Sequence, residues 1–368
     1  MPQKVRRAEA IWFDNLKRWQ INVQCDGIRK TFTSSIPGRK GKHDAENKAD
    51  DWLESQSESR RFDQAWNLYI KDYEKRVGKA AYIKTRGIGD NWILPNVRGR
   101  LTLDKLTPAV WQKCIDDASA EGLSWKSCSN IRAVIMAFCD FCRRNRWEID
   151  VPDVREIKLP KDAARPKRKI LQPNGFQTLF SVSTIEHYHK QVECWYIHLW
   201  RLMVLTGMRR GEAVALRRED VEGNVLHISR SVNNLMEMTD GKTANATRYV
   251  TLSTKAHEVL SQQAQMLRQA GIVSPWLFPA KDGDISNPND VYKAWYTYRN
   301  QHGLECSLHE LRHTFISAVK SDLPMALLRE QVGHSTQTDS IGIYGHSIEG
   351  DAAATAAVLD DVFARLIK

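Results

Sequence analysis

The chain has 368 residues, 42% of them hydrophobic and 27% charged, the profile of a globular polypeptide long enough for two or three domains. No apolar run approaches the ~20 residues of a membrane span, and no apolar stretch follows the basic start MPQKVRRAEA. The seven cysteines show no repeating spacing of the kind a disulfide framework has, so a membrane or secreted protein is set aside and a reducing, cytoplasmic setting is expected.

Lys and Arg number 54 against 44 Asp and Glu, and the net charge of +10 favours polyanionic partners, nucleic acid first. The excess is concentrated. Residues 1–42 hold ten basic and three acidic side chains, and residues 155–169 hold seven and two. Trp19, Ile21, Val23 and Cys25 alternate with polar residues, which predicts a half-buried strand. Asp26-Gly27 is a two-residue hairpin turn, and Ile28 to Ser34 returns as a second strand. Ala45, Ala49, Trp52 and Leu53 place a helix over His43–Glu58 on one sheet face. Lys17, Arg18, Arg29 and Lys30 are expected on the other, as a surface for a DNA groove or simply for solvent.

Residues 61–150 read as wholly helical. Thr107-Pro108 is a helix start with a capping hydroxyl and proline in the first turn. Ile131, Val134, Ile135, Phe138 and Cys142 mark the apolar face of a long helix from about Ser124 to Arg146. Cys139 and Cys142 have metal-ligand spacing, but no second pair follows and both fall within this helix, so they read as core. Residues 151–169, with three prolines and no amphipathic period, predict an extended linker. Beyond it, helical patterns occupy 174–184, 190–206, 254–270, 287–302, 307–320 and 324–332. Val225–Val232 and Arg248–Leu252 alternate as strands. The tail from Ile348 has a helical apolar stripe that fits packing in cis or on a neighbouring subunit.

Four clusters in the C-terminal half carry candidate chemistry. TGMRRGE, Thr206 to Glu212, ends an apolar helix at Gly207, projects Arg209 from the turn and lets Glu212 orient a neighbour. GKTANATRYVTL holds Lys242 in a turn before a strand. SLHELRHTF places His309 and Arg312 one helical turn apart. VGHSTQTDSIGIYGH places His334 ten residues before Tyr344. Singly, these are a surface ion pair, a solvated lysine, a helix face and a buried phenol.

Together, Arg, Lys, His-x-x-Arg, His and Tyr in this order resemble the tyrosine recombinase (phage integrase) family over residues 170–350. The resemblance implies that Tyr344 is the nucleophile and that Arg209 and Arg312 clamp the scissile phosphate. It implies that Lys242 is the general acid, that His309 and His334 complete the site, and that Glu212 supports it from behind. It further implies a multidomain α+β chain of the phage or conjugative-transposon type. Residues 1–58 would be an arm-type DNA-binding domain of three strands and a helix, 59–150 an all-helical core-binding domain, and 151–169 the linker. Residues 170–368 would be a mainly helical catalytic domain with a small antiparallel sheet. The implied partners are double-stranded DNA at core and arm sites, three further copies in a homotetramer, and a host bending factor or excisionase. No cofactor, metal or membrane is implied.

The residue types suit that chemistry. Breaking a phosphodiester without a metal needs a nucleophile, neutralisation of the pentacoordinate phosphorane and an acid for the leaving 5′-oxygen. Two guanidiniums offer permanently charged, fork-shaped donors to phosphate oxygens. The expected activity is site-specific integration or excision of a mobile element through a 3′-phosphotyrosine. A type IB topoisomerase-like cleavage and a catalytically silent DNA-binding protein remain as alternatives.

Overall fold

The computed structural model describes residues 9–25, 28–58, 60–97, 101–164, 169–240, 247–333 and 351–367. The chain divides into two compact units, Met1–Pro166 and Lys167–Lys368.

In the first unit, β1 (Ile11–Phe13), β2 (Arg18–Cys25) and β3 (Ile28–Ser34) form an antiparallel sheet in that order, followed by α1 (Arg39–Glu58). The expected alternation holds. Ile21 and Val23 of β2 are buried with Ala45 and Ala49 of α1 in a small core of their own. The hairpin pairs Cys25 with Ile28, and this register sets the phase of everything after it: Arg29 falls opposite Gln24, and Lys30 opposite Val23. Directly paired residues share a face. Lys30 is therefore on the helix side of the sheet, its Nζ 5.3 Å from the Phe32 ring centre and 5.6 Å from that of Trp52. Lys17 is also off the outer face, in the β1–β2 turn with a left-handed φ of 47°. Of the four expected outer residues, only Arg18 and Arg29 share the face of Gln20, Asn22 and Gln24.

The helical part of this unit comprises α2 (Phe62–Arg76), α3 (Lys79–Ile88), α4 (Pro108–Ala120) and α5 (Trp125–Arg144), with a π-helical turn at Gly89–Ile93 and a 3₁₀ turn at Leu103–Lys105. No strand interrupts it among the described residues, and Arg61 and Thr102 form one isolated bridge between its loops. Phe138 of α5 is the hub of its core, with ring centres of Phe62, Trp66, Tyr69 and Trp111 5.4–6.0 Å away. Ser124 caps α5 by accepting from the Ser127 amide, whereas the Thr107 hydroxyl makes no such bond and α4 starts on Pro108 alone. Cys139 and Cys142 are buried, unpaired thiols, and burial pushes Cys142 up to about 12, as core residues require.

Residues 151–164 carry no helix or strand but are not a free linker. Ile157 is fully buried in the helical core, the Lys158 amide donates to Gln112 Oε1 at 2.7 Å, and Arg132 Nη1 donates to the Ile157 carbonyl at 3.0 Å. The prolines prevent helix, and one apolar side chain anchors the segment to the helices.

The second unit opens with α6 (Pro173–Ser181), then β4 (Thr184–His187) and β5 (Lys190–Glu193), a hairpin where the sequence suggested helix from residue 190. Next come α7 (Ile197–Thr206), α8 (Arg210–Val214), β6 (Val221–Glu222), β7 (Val225–Ile228), β8 (Arg230–Val232), β9 (Met238–Asp240) and β10 (Arg248–Thr251). The single strand expected over 225–232 is broken, because β7 lies in a β10-β7-β6 sheet while β8 pairs with β9. Then follow α9 (Thr254–Gln269), α10 (Pro288–Gln301), α11 (Glu310–Val319), α12 (Met325–Val332) and α13 (Asp351–Leu366). All ten residues of α7 are buried, so it runs through the centre, as its nearly unbroken apolar sequence requires. The tail helix α13 packs in cis. Leu359, Val362 and Phe363 join the same core, and the Phe363 ring centre lies 6.4 Å from Phe176 and 6.3 Å from Phe315. The α+β fold class expected from sequence is the one observed.

Candidate active site

The site begins where α7 stops. Gly207 closes the helix in a left-handed conformation, φ 67°, donating its amide to Met203. A Cβ here would fall 2.5 Å from Phe315 Cδ1, so glycine is needed for both the backbone and the close approach of α11. That approach lets Arg312, three residues before Phe315, donate Nη1 to the Gly207 carbonyl at 2.8 Å. Its Nη2 donates to the Val332 carbonyl at 2.6 Å, at the end of α12. Arg312 is 3% exposed, and both of these acceptors are neutral carbonyls.

Two residues after Gly207, Arg209 forms the N-cap of α8. Glu212 bends back to it, accepting from the Arg209 amide at 2.7 Å through Oε2 and from Nη1 at 2.8 Å through Oε1. Glu212 is buried, while the Arg209 side chain remains 43% exposed, so the pair is anchored inside and offers its cation outside.

Arg248, the first residue of β10, supplies a second clamp that sequence reading missed. Its Nη1 and Nη2 donate to Glu212 Oε1 and Oε2 at 3.1 and 2.8 Å, and its Nε donates to the Gln331 carbonyl at 3.1 Å. The Gln331 side chain in turn brackets Thr251, accepting from its amide at 3.0 Å and donating to its carbonyl at 2.8 Å. The available signal was phase. Arg248 shares the inward alternation of Val250 and Leu252, where a charged residue needs a buried partner.

Two guanidiniums thus bond one carboxylate, and a third, that of Arg312, lies close enough for its charge to be coupled to theirs. Burial raises the Glu212 carboxyl, but hydrogen bonding and charge from Arg248, with the bonds from Arg209, outweigh it and hold the group below its ordinary value. Burial, then the charge of Arg209 and, beyond the opposing Glu212, that of Arg248, push Arg312 down to about 10. Among the described residues the cluster has an excess of buried positive charge, which an anion would relieve.

His309 precedes α11, exposed, with its ring centre 5.3 Å from that of His313 and edge-on to it. Lys242, His334 and Tyr344 lie outside the described residues. Lys255, further along the sequence on α9, donates to Glu258 at 2.6 Å.

A family model described as the phage integrase family matches residues 170–350, and one described as the phage integrase N-terminal SAM-like domain matches residues 61–118. The chain is 24% identical over 256 residues to the ICEBs1 integrase of Bacillus subtilis (strain 168), covering 66% of this chain and 67% of that one. It is 23% identical over 322 residues to the prophage ps2 probable integrase of Lactococcus lactis subsp. lactis (strain IL1403), covering 80% of each. Among solved structures, the Tn1549 transposon integrase in complex with transposon right end DNA superposes with a TM-score of 0.62 at 16% identity, covering 81% of this chain and 99% of that one. A lambda integrase tetramer bound to a Holliday junction gives 0.62 at 15%, covering 93% and 99%. At these identities the structural likeness is one of fold.

Proposed function

The chain belongs to the phage integrase family, and from that premise we propose that it cleaves and rejoins duplex DNA at specific sites through a 3′-phosphotyrosine on Tyr344, integrating or excising a mobile element. The observation that carries this reading is the excess positive charge of Arg209, Arg248 and Arg312 over Glu212. A phosphodiester is the anion that fits, since planar guanidinium forks match its oxygens.

In the proposed reaction, Tyr344 Oη attacks phosphorus while the bond to the 5′-oxygen breaks. An imidazole of His309 or His334 takes the phenol proton, and Lys242 protonates the departing 5′-oxygen. Arg209 and Arg312 stabilise the added charge of the phosphorane, the kind of preorganised contribution whose loss costs roughly a hundredfold or more. The phosphotyrosine ester keeps the bond energy, so a 5′-hydroxyl of the partner strand reverses the step without ATP. The helical segment 59–150 and the catalytic segment 170–368 would clasp the core site, the sheet of residues 1–58 would bind arm sites, and four copies would carry out strand exchange.

The test starts with a site selected from a random-sequence duplex pool. Nicked duplex of that sequence should form a covalent adduct with the wild-type chain. Tyr344→Phe, which keeps the ring but loses the attacking oxygen, should bind the duplex and form none. Adduct at wild-type level in that variant would remove Tyr344 from the mechanism.

A further inference from the structure

The two oxygens of Glu212 are each used twice. Oε1 accepts from Arg209 Nη1 and Arg248 Nη1, and Oε2 from the Arg209 amide and Arg248 Nη2. Arg248 is the more buried of the two cations: its side chain is 4% exposed against 43% for Arg209. The fork of Arg248 therefore fixes the plane of the carboxylate and takes up its charge from the buried side. Arg209 then makes a single side-chain bond to it, and most of its charge and donors remain for an external ligand.

We propose that Arg248 is a positioning residue for strand cleavage: it occupies Glu212 so that Glu212 orients Arg209 without neutralising it, and it fastens the end of α12, which leads into His334. This rests on the recombinase reading of the site. The second half of the role follows from the Nε bond to the Gln331 carbonyl and from the Gln331 bracket on Thr251, which tie α12 to β10 at three hydrogen bonds. No lysine could do both, because a point charge on a flexible stem cannot span two carboxylate oxygens and a carbonyl at once. Without Arg248, the buried carboxylate has Arg209 as its remaining charged partner and draws that guanidinium inward, away from a phosphate. Neutralising the carboxylate should then relieve part of the defect, which separates positioning from simple support of the fold.

The experiment uses the full chain and the nicked duplex of the selected site, reading adduct-formation rate, duplex affinity and thermal unfolding. Arg248→Met should slow adduct formation about a hundredfold, the scale of a misplaced catalytic group, with little change in affinity. The double variant Arg248→Met/Glu212→Gln should recover about tenfold of that loss, although Glu212→Gln alone slows the wild type. If Arg248→Met does not fold, Arg248→Lys replaces it, with about a tenfold loss expected and the same partial rescue. A folded Arg248 variant that cleaves at the wild-type rate, or one whose defect Glu212→Gln leaves unrelieved, overturns the proposal. Absence of adduct from the wild-type chain would instead fail the recombinase reading itself.

Discussion

Arg312 and Arg248 donate to consecutive carbonyls of one helix end, Val332 at 2.6 Å and Gln331 at 3.1 Å. The last carbonyls of a helix have no partners within it and carry its negative dipole end. Here two buried guanidiniums supply both the donors and the opposing charge. The helix so capped ends in Gly333, in the left-handed region at φ 65°, and the next residue is His334. The arginines that gather at the proposed phosphate site are thus also the ones that anchor the entry to the rest of the site.

Arg312 should be costly to the fold and necessary to the chemistry. Its displacement from 12.5 to about 10 corresponds to roughly 3 kcal/mol of unfavourable burial and repulsion. Losing its donors leaves the Gly207 and Val332 carbonyls bare, at about 1–3 kcal/mol each. The two effects oppose each other and are of similar size. Arg312→Met is therefore expected to unfold near the wild-type temperature while adduct formation falls at least a hundredfold. Calorimetry with the adduct assay checks both, and a Tm well below wild type would show that the carbonyl contacts dominate.

Gly207→Ala is expected to damage the same site through packing. The left-handed backbone costs an alanine about 1 kcal/mol, and the new methyl meets the Phe315 ring, a core overpacking worth about 1–3 kcal/mol more. Because Phe315 and Arg312 share α11, relief of the clash moves the guanidinium that reaches the Gly207 carbonyl. Urea unfolding should show the loss of stability, and a variant as stable as wild type would mean that α11 yields freely.

What could be read from the sequence was whatever is local in it. Gly207, Arg209 and Glu212 fall within one turn of chain, so a helix stop, a cation and its orienting carboxylate were visible as a motif. Arg248 meets Glu212 across 36 positions and Gln331 across 83, and no periodicity reports such a pairing. The β4–β5 hairpin was missed for a different reason. Its turn uses Tyr188 and His189 at φ 50° and 60°, where glycine or asparagine would ordinarily announce a positive φ, so residues 190–206 read as a single helix. Lys30 illustrates register. A two-residue turn at Asp26-Gly27 pairs Cys25 with Ile28 and therefore Lys30 with Val23, so its inward side follows from the turn length once the pairing is carried along the strand.

Acid should loosen the second unit through His198. His198 is 6% exposed in α7, and burial, with the charge of Arg201 second, lowers it from 6.5 to about 4. Between those values the unfolded chain binds a proton that the folded chain refuses, so stability falls as pH drops from 6.5 towards 4, by about 3 kcal/mol in all. Glu212, also lowered, adds to the loss only as pH falls through its own range below 4.5. His198→Leu should flatten the slope between pH 6.5 and 4.5 in denaturant titrations. An unchanged slope would assign it to other groups.

Lys242 is tested by changing the leaving group. If it protonates the 5′-oxygen, Lys242→Ala should be slow on ordinary nicked duplex. It should recover most of its rate on a duplex with sulfur at the 5′-bridging position, which leaves without a proton. Equal defects on both duplexes would give Lys242 a binding role and reopen the identity of the acid.

The N-terminal sheet yields a test that depends on which way each cation points. Arg29 lies opposite Gln24 on the outer face, with Asn22 and Thr31 beside it, whereas Lys30 lies opposite Val23 and reaches the Phe32 and Trp52 rings on the helix side. Neutralising a phosphate releases counterions, and each lost contact lowers the slope of log K against log salt by about 0.9 on duplex DNA. If the outer face enters a groove at a second DNA site, Arg29→Ala should lower that slope by about one contact and weaken the outer footprint. Core-site cleavage should persist in that variant. Lys30→Ala should leave both slope and footprint as in the wild type, although the chain loses the same unit of charge. Equal slopes for the two alanine variants would mean that the sheet contributes only diffuse positive charge, and identical footprints for Arg29→Ala and the wild type would place arm binding elsewhere.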